Sequence, residues 1–186
     1  MNNGSLKDIR VAILVAEGFE EVEMTRPRAA LDDAGARTVL VSPQDGRVLG
    51  FNHHDKGNAY PVDLKLDDAK PADFDALMLP GGALNPDQLR TIPKAVAFVK
   101  AFFDEDKPVA AICHAPWTLI EADVVEGRRL TSWPSLKTDL ENAGADWVDE
   151  TVVRDGNLVT SRKPDDLPQF NPAMLELFAK GATVAR

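Results

Sequence analysis

Ile9-Arg10-Val11-Ala12-Ile13-Leu14-Val15 is a short apolar run bounded by Gly18. Apolar residues then recur at helical spacing over 22–34, Gly35 supplies a stop, and the β-branched run Thr38-Val39-Leu40-Val41-Ser42 follows. Runs of this length and composition predict buried strands, and a glycine just past a periodic stretch ends a helix. Strand, helix and strand within about 35 residues make a βαβ unit. Such a unit pairs its strands in parallel, because the helix carries the chain back to the starting end of the sheet.

Downstream the pattern continues. Phe74-Asp75-Ala76-Leu77-Met78-Leu79 predicts a third core strand ending at Pro80-Gly81-Gly82, with a helix over about 93–104. Pro108-Val109-Ala110-Ala111-Ile112 predicts a fourth strand ending at Cys113. Residues 114–121 look helical, with Pro116 in the first turn, where a missing N–H costs little. Ser132-Trp133-Pro134 opens a helix that runs to about Ala143 and is closed by Gly144. Val152-Val153 leads into the turn signal Asp155-Gly156-Asn157, with Leu158-Val159-Thr160-Ser161 as the return strand. A helix covers most of 164–180. Residues 43–66, carrying Gly46, Gly50, Gly57 and Pro61, predict a hairpin or excursion beside the main sheet. The expected fold is α/β: one domain over 1–186, core about 8–180, built as a three-layer sandwich around a mostly parallel sheet.

Composition narrows the function classes. The chain has 186 residues, with 44% apolar and 27% charged, as a globular domain should. Its 30 acidic against 21 basic residues give a net charge of −9, which argues against nucleic acid as a partner. No apolar run approaches the roughly 18 residues of a membrane span. Met1-Asn2-Asn3-Gly4-Ser5 lacks the features of a signal peptide, so a cytoplasmic location is expected. The histidines are His53, His54 and His114, without C-x-x-C or H-x-x-x-H spacing, so no metal is expected. His53 and His54 read as loop residues. The one cysteine cannot form an internal disulfide. It is either a small buried hydrophobe or a reactive thiol.

In open parallel sheets, sites gather beyond the carboxyl ends of strands. Three features fall there: Glu20-Glu21-Val22-Glu23, Gly81-Gly82 and Cys113-His114. Cys113 stands where an apolar strand gives way to a helix, between the small residues Ala111 and Ala115, as a nucleophile elbow requires. A helix N-terminus beside the sulfur is expected to lower its pKa. The His114 N–H could stabilise an oxyanion, and Gly82 could supply a second donor. His114 is either a base for the thiol or a cap for its helix. No histidine follows it, so a Cys-His pair with a distant downstream histidine is excluded. Most of the carboxylates over 20–23 read as solvated first-turn acids. Glu23, in the periodic stretch, is the one expected to point inward. Buried beside a thiolate it would hold its proton and could donate to sulfur or move protons.

Taken together, Glu17-Gly18-Phe19-Glu20-Glu21-Val22-Glu23, Leu79-Pro80-Gly81-Gly82, Ala111-Ile112-Cys113-His114-Ala115-Pro116, Thr131-Ser132-Trp133-Pro134 and Thr160-Ser161-Arg162 resemble the intracellular protease I (PfpI-like) family. That family belongs to the superfamily of the Parkinson-linked deglycase and the class I glutamine amidotransferases. The resemblance runs from Val11 to about Phe178. It implies a flavodoxin-like sandwich and a homodimer or higher homo-oligomer. It also implies Cys113 as nucleophile, Glu23 as its acidic partner, and an oxyanion pocket formed by Gly82 with His114, beside Gly81. In protease-like members an acid from a neighbouring subunit completes a triad with the cysteine and histidine. Asp87 stands at that place here, one methylene shorter than the glutamate of the archaeal proteases. Trp133 and Arg162 resemble substrate-side residues. Trp133 and Lys163-Pro164-Asp165-Asp166 look most like the bacterial stress-associated branch. The resemblance therefore implies a cysteine-dependent hydrolase of small glyoxals or glycated protein adducts, of glyoxalase III or deglycase type, needing no cofactor. A peptidase with the same nucleophile and a redox-sensing stress protein with an oxidisable Cys113 are the alternatives.

Overall fold

A computed structural model describes residues 6–184; Met1 to Ser5, read above for targeting features, lie outside the described residues. In chain order the strands are β1 (Arg10–Leu14), β2 (Phe19–Glu20), β3 (Arg37–Ser42), β4 (Arg47–Asn52), β5 (Asp55–Pro61), β6 (Leu64–Lys65), β7 (Ala76–Leu79), β8 (Val109–Ile112), β9 (Arg129–Leu130), β10 (Asp146–Trp147), β11 (Val152–Asp155) and β12 (Leu158–Ser161). The helices are α1 (Glu21–Asp33), α2 (Leu84–Leu89), α3 (Pro93–Asp104), α4 (Pro116–Glu121), α5 (Lys137–Asn142) and α6 (Leu167–Val184).

Seven strands form the central sheet in the order β11-β12-β8-β7-β1-β3-β6. Parallel pairing runs from β12 through β8, β7, β1 and β3 to β6, and β11 alone is antiparallel, at the edge. Because side chains alternate along a strand, β1 serves both faces. Ala12 and Leu14 join Phe74, Phe98, Phe102, Leu119 and Leu140 on the side of α3, α4 and α5. Val11 and Ile13 join Met24, Leu31, Phe170, Met174 and Phe178 under α1 and α6. The three-layer, flavodoxin-like sandwich expected from the sequence is the observed fold. Among the described residues no helix is long and apolar enough to cross a membrane.

Residues 43–66 do form the expected excursion. β4 and β5 pair antiparallel around His53 and His54, which lie in the connecting turn, and β4 pairs in parallel with β2. α2 and the two-residue pair β9–β10 had no clear signal in the sequence. The helix expected over 114–121 starts later, at Pro116, with Ala115 at its N-cap. The helix expected from Ser132 is a 3-10 turn, Pro134–Leu136, followed by α5.

Candidate active site

Cys113 occupies the turn between β8 and α4 with φ +64°, in the left-handed region that a side chain normally avoids. Holding a non-glycine residue there costs about 1–3 kcal/mol, so the surroundings must fix it. Its N–H donates to the carbonyl of Ser161 on β12 (3.1 Å), and its carbonyl accepts from the Trp133 N–H (2.9 Å). This is the strained elbow the sequence implied.

Gly81 and Gly82 line the other side. A Cβ on Gly81 would stand 2.5 Å from both the Cys113 Cβ and Glu23 Oε2, so no side chain fits. Gly82 has φ +81°, and a Cβ there would meet the backbone of Gly18 and Glu20 at 2.7 Å. Asn85, fully buried at the start of α2, holds this loop. Its Oδ1 accepts the Ala16 N–H (2.7 Å), and its Nδ2 donates to the carbonyls of Pro80 (2.9 Å) and Gly81 (3.1 Å). Sequence reading missed Asn85, because one amide in a short helix has no periodicity to betray it.

Glu23 points inward from α1 as expected and is fully buried. Its Oε2 accepts the Gly81 N–H (3.0 Å), while Oε1 has no hydrogen-bond partner among the described residues. Burial, and then the nearby charge of Glu20, push its pKa up from 4.5 to about 8; interaction with the Cys113 thiol and the amides of Gly81 and Gly82 pulls the other way. The carboxyl is therefore protonated at neutral pH.

The sulfur corrects one expectation. A helix N-terminus was to lower the cysteine pKa, yet α4 has six residues and begins three positions beyond Cys113. Burial raises the thiol well above its usual value, and negative charge on Glu23 raises it further. The backbone N–H groups of Gly82 and His114 oppose this by pointing at the sulfur. A second correction concerns Glu20. It is not a solvated first-turn acid but a buried one in β2, 7% exposed.

His114 does not cap α4. Its Nδ1 lies 3.2 Å from Cys113 Sγ, and burial lowers its pKa to about 4, leaving it neutral. Its ring stacks on Trp133 (centroids 5.7 Å, 20° between planes) and leans on Trp117 (5.1 Å). Trp133, 37% exposed, thus forms an aromatic rim beside the pair. Asp87 stands on the exposed face of α2 in an ion pair with Arg90 (3.2 Å), whose guanidinium covers Trp117 (5.0 Å). The Arg162 guanidinium is occupied by Asp166, Asp149 and Thr151. A groove of about 590 Å³ lies at the opposite, N-terminal end of the parallel strands, among Asp75, Lys107, Arg154 and Lys180, and holds none of these site residues.

A cysteine on a strained strand-to-helix turn, backed by two glycines, a histidine and a buried carboxyl, marks an α/β sandwich with its candidate site at the carboxyl ends of parallel strands. The chain belongs to the DJ-1/PfpI family, whose model matches residues 9–177. It is 43% identical over 173 residues to General stress protein 18 of Bacillus subtilis, covering 92% of this chain and 98% of that one. It is 46% identical over 159 residues to Deglycase PYRAB04690 of Pyrococcus abyssi, covering 86% and 93%. A crystal structure from Anabaena variabilis with DJ-1/ThiJ/PfpI-like and ferritin-like domains superposes with a TM-score of 0.86 and 36% identity over 91% of this chain. The chain spans about half, 48%, of that two-domain protein.

Proposed function

We propose that this protein is a cysteine-dependent enzyme acting on small dicarbonyls such as methylglyoxal, or on their early protein adducts. The observation that carries this reading is the fully buried Glu23 carboxyl, held by the Gly81 N–H (3.0 Å) directly beside Cys113, where burial pushes its pKa up to about 8. The deglycase name of the Pyrococcus abyssi relative supports the same direction.

Two negative charges cannot share so dry a pocket, so Glu23 and Cys113 titrate as a unit. With its proton on, Glu23 exerts no repulsion and becomes a third donor to sulfur beside the two amides. The proposed reaction requires these three donors together to outweigh the burial that raises the thiol well above its usual value. The thiolate adds to the aldehyde carbon and forms a C–S bond, and the carbonyl electron pair moves to oxygen, which the Gly82 and His114 N–H groups hold. A proton then leaves the former aldehyde carbon, the neighbouring ketone oxygen takes one, and another is delivered to the ketone carbon. The first carbon is oxidised to a thioester as the second is reduced to an alcohol, so no outside oxidant is needed. Water cleaves the thioester, releasing the hydroxyacid and the thiolate. Glu23, with a pKa near the working pH, is suited to move these protons. Neutral His114, at about 4, is the weaker base.

Wild-type protein given methylglyoxal should yield lactate, followed by proton NMR. Cys113→Ser should lose roughly a thousandfold or more, the scale expected on removing a nucleophile. Retained turnover in Cys113→Ser would contradict the mechanism. Peptide hydrolysis without lactate would transfer the same site to a peptidase.

A further inference from the structure

Glu20 is a buried acid that the proposed chemistry leaves unused. It sits in β2 with its N–H donating to the Gly81 carbonyl (3.2 Å), which places it directly behind the glycine pair. Its Oε2 accepts the N–H of His53 from the β4–β5 turn (3.0 Å), and the exposed His53 ring lies 4.0 Å away. The other titratable groups near it are Glu23 on α1 and, across Gly81, Cys113. Glu17 and Glu21 turn to different partners, the amides of Leu49 and Asn58.

Glu20 and Glu23 therefore flank Gly81, whose carbonyl accepts the Glu20 N–H and whose N–H donates to Glu23, and two buried carboxyls so close hold one negative charge far more readily than two. Their surroundings decide which holds it. Glu20 reaches the rim, is tied to a backbone amide and faces an imidazole. Glu23 is sealed off, and its Oε1 has no donor among the described residues. A buried carboxylate oxygen without a donor is costly, whereas a protonated one finds its acceptor in the sulfur. We infer that Glu20 is a positioning residue: it carries the anionic charge of the pair on the His53 amide and so keeps the proton on Glu23, facing Cys113. This rests on the reading of Glu23 and Cys113 as one proton-sharing unit, and it makes the β4–β5 turn part of the site.

The test is the carbonyl infrared band of a protonated carboxyl, titrated in wild type, Glu23→Gln, Glu20→Gln and Glu20→Asp. Wild type should show one band with a midpoint of about 8. Glu23→Gln should abolish it. Glu20→Gln should keep it but lower its midpoint by about one unit, the effect of removing a neighbouring like charge. Glu20→Asp, which keeps the charge, should restore the midpoint. Iodoacetamide alkylation of Cys113 at about pH 7.5 should slow about threefold in Glu20→Gln, because an earlier-ionised Glu23 repels the thiolate. A purely direct effect of the lost charge would speed it instead. A band that survives Glu23→Gln, an unmoved midpoint in Glu20→Gln, or faster alkylation would overturn the inference. None of these readouts needs a substrate. Absence of lactate from wild type would sink the proposed reaction while leaving the role of Glu20 standing.

Discussion

At Glu23 the chemistry of the site and the stability of the fold meet. Its carboxyl titrates near 4.5 when unfolded and at about 8 when folded. Between those values the folded state binds the extra proton, so this residue's contribution to stability falls as pH rises through the interval and is level outside it. The thiol's own titration would obscure the effect, and Cys113→Ser removes it. His114 acts in the opposite sense, since its depressed pKa costs stability as pH falls from 6.5 towards about 4, but it is common to both variants compared. We expect Cys113→Ser/Glu23→Gln to gain on Cys113→Ser by on the order of a few kcal/mol between pH 5 and 8, measured by urea unfolding. A constant difference would show that Glu23 is ionised in the folded protein. At this scale the sequence disclosed Cys113, His114, Glu23 and the two glycines, because each sits at the carboxyl end of a legible strand or in a periodic helix. It did not disclose Asn85 or the burial of Glu20. Both depend on where the glycine loop and a distant hairpin come to rest, and local pattern carries no information about that.

Among the elements, the β4–β5 hairpin shows most plainly what local pattern omits. Its glycines and Pro61 announced an excursion, but not that three acids at or just before the start of α1 would fasten it. Glu17 Oε2 accepts the Leu49 N–H (3.3 Å), Glu20 that of His53 (3.0 Å), and Glu21 both the backbone and side-chain N–H of Asn58 (2.7 Å each). The Asn58 amide holds the Glu21 carboxyl below its ordinary pKa. α2 and the β9–β10 pair escaped for a simpler reason: six-residue and two-residue elements are too short to display a period. Glu21→Ala should release one end of the hairpin. Amide exchange over 47–61 should quicken about five- to tenfold, in line with roughly 1 kcal/mol per lost hydrogen bond, while β1, β7 and β8 exchange as in wild type. Equal acceleration throughout would mean that the hairpin is not separately fastened.

Across the whole molecule, one topological fact gathers the site. β1, β7 and β8 are parallel neighbours, so the loops that leave their carboxyl ends converge on one edge of the sheet. The segments that follow carry Glu20 in β2 and Glu23 in α1, Gly81 and Gly82, and Cys113 and His114. The architecture was legible because β3, β7 and β8 are apolar runs closed by Pro43, Pro80 and Cys113. The protonation state was not legible. It arises from burying a carboxyl and a thiol together, and the helix-terminus effect inferred from sequence proved to come from a helix that starts too late.

The proposed reaction requires the sulfur to ionise at neutral pH against the burial that raises its pKa, which it can do only while the neighbouring carboxyl keeps its proton. The most direct measurement is the ultraviolet thiolate absorbance of wild-type protein titrated against Cys113→Ser as the blank. If the donors outweigh burial, the midpoint will lie below the value of about 8.5 for an unperturbed cysteine, with thiolate predominant at pH 7. A thiol that stays protonated beyond about pH 9 would contradict the proposed reaction, because burial would then have outweighed the three donors.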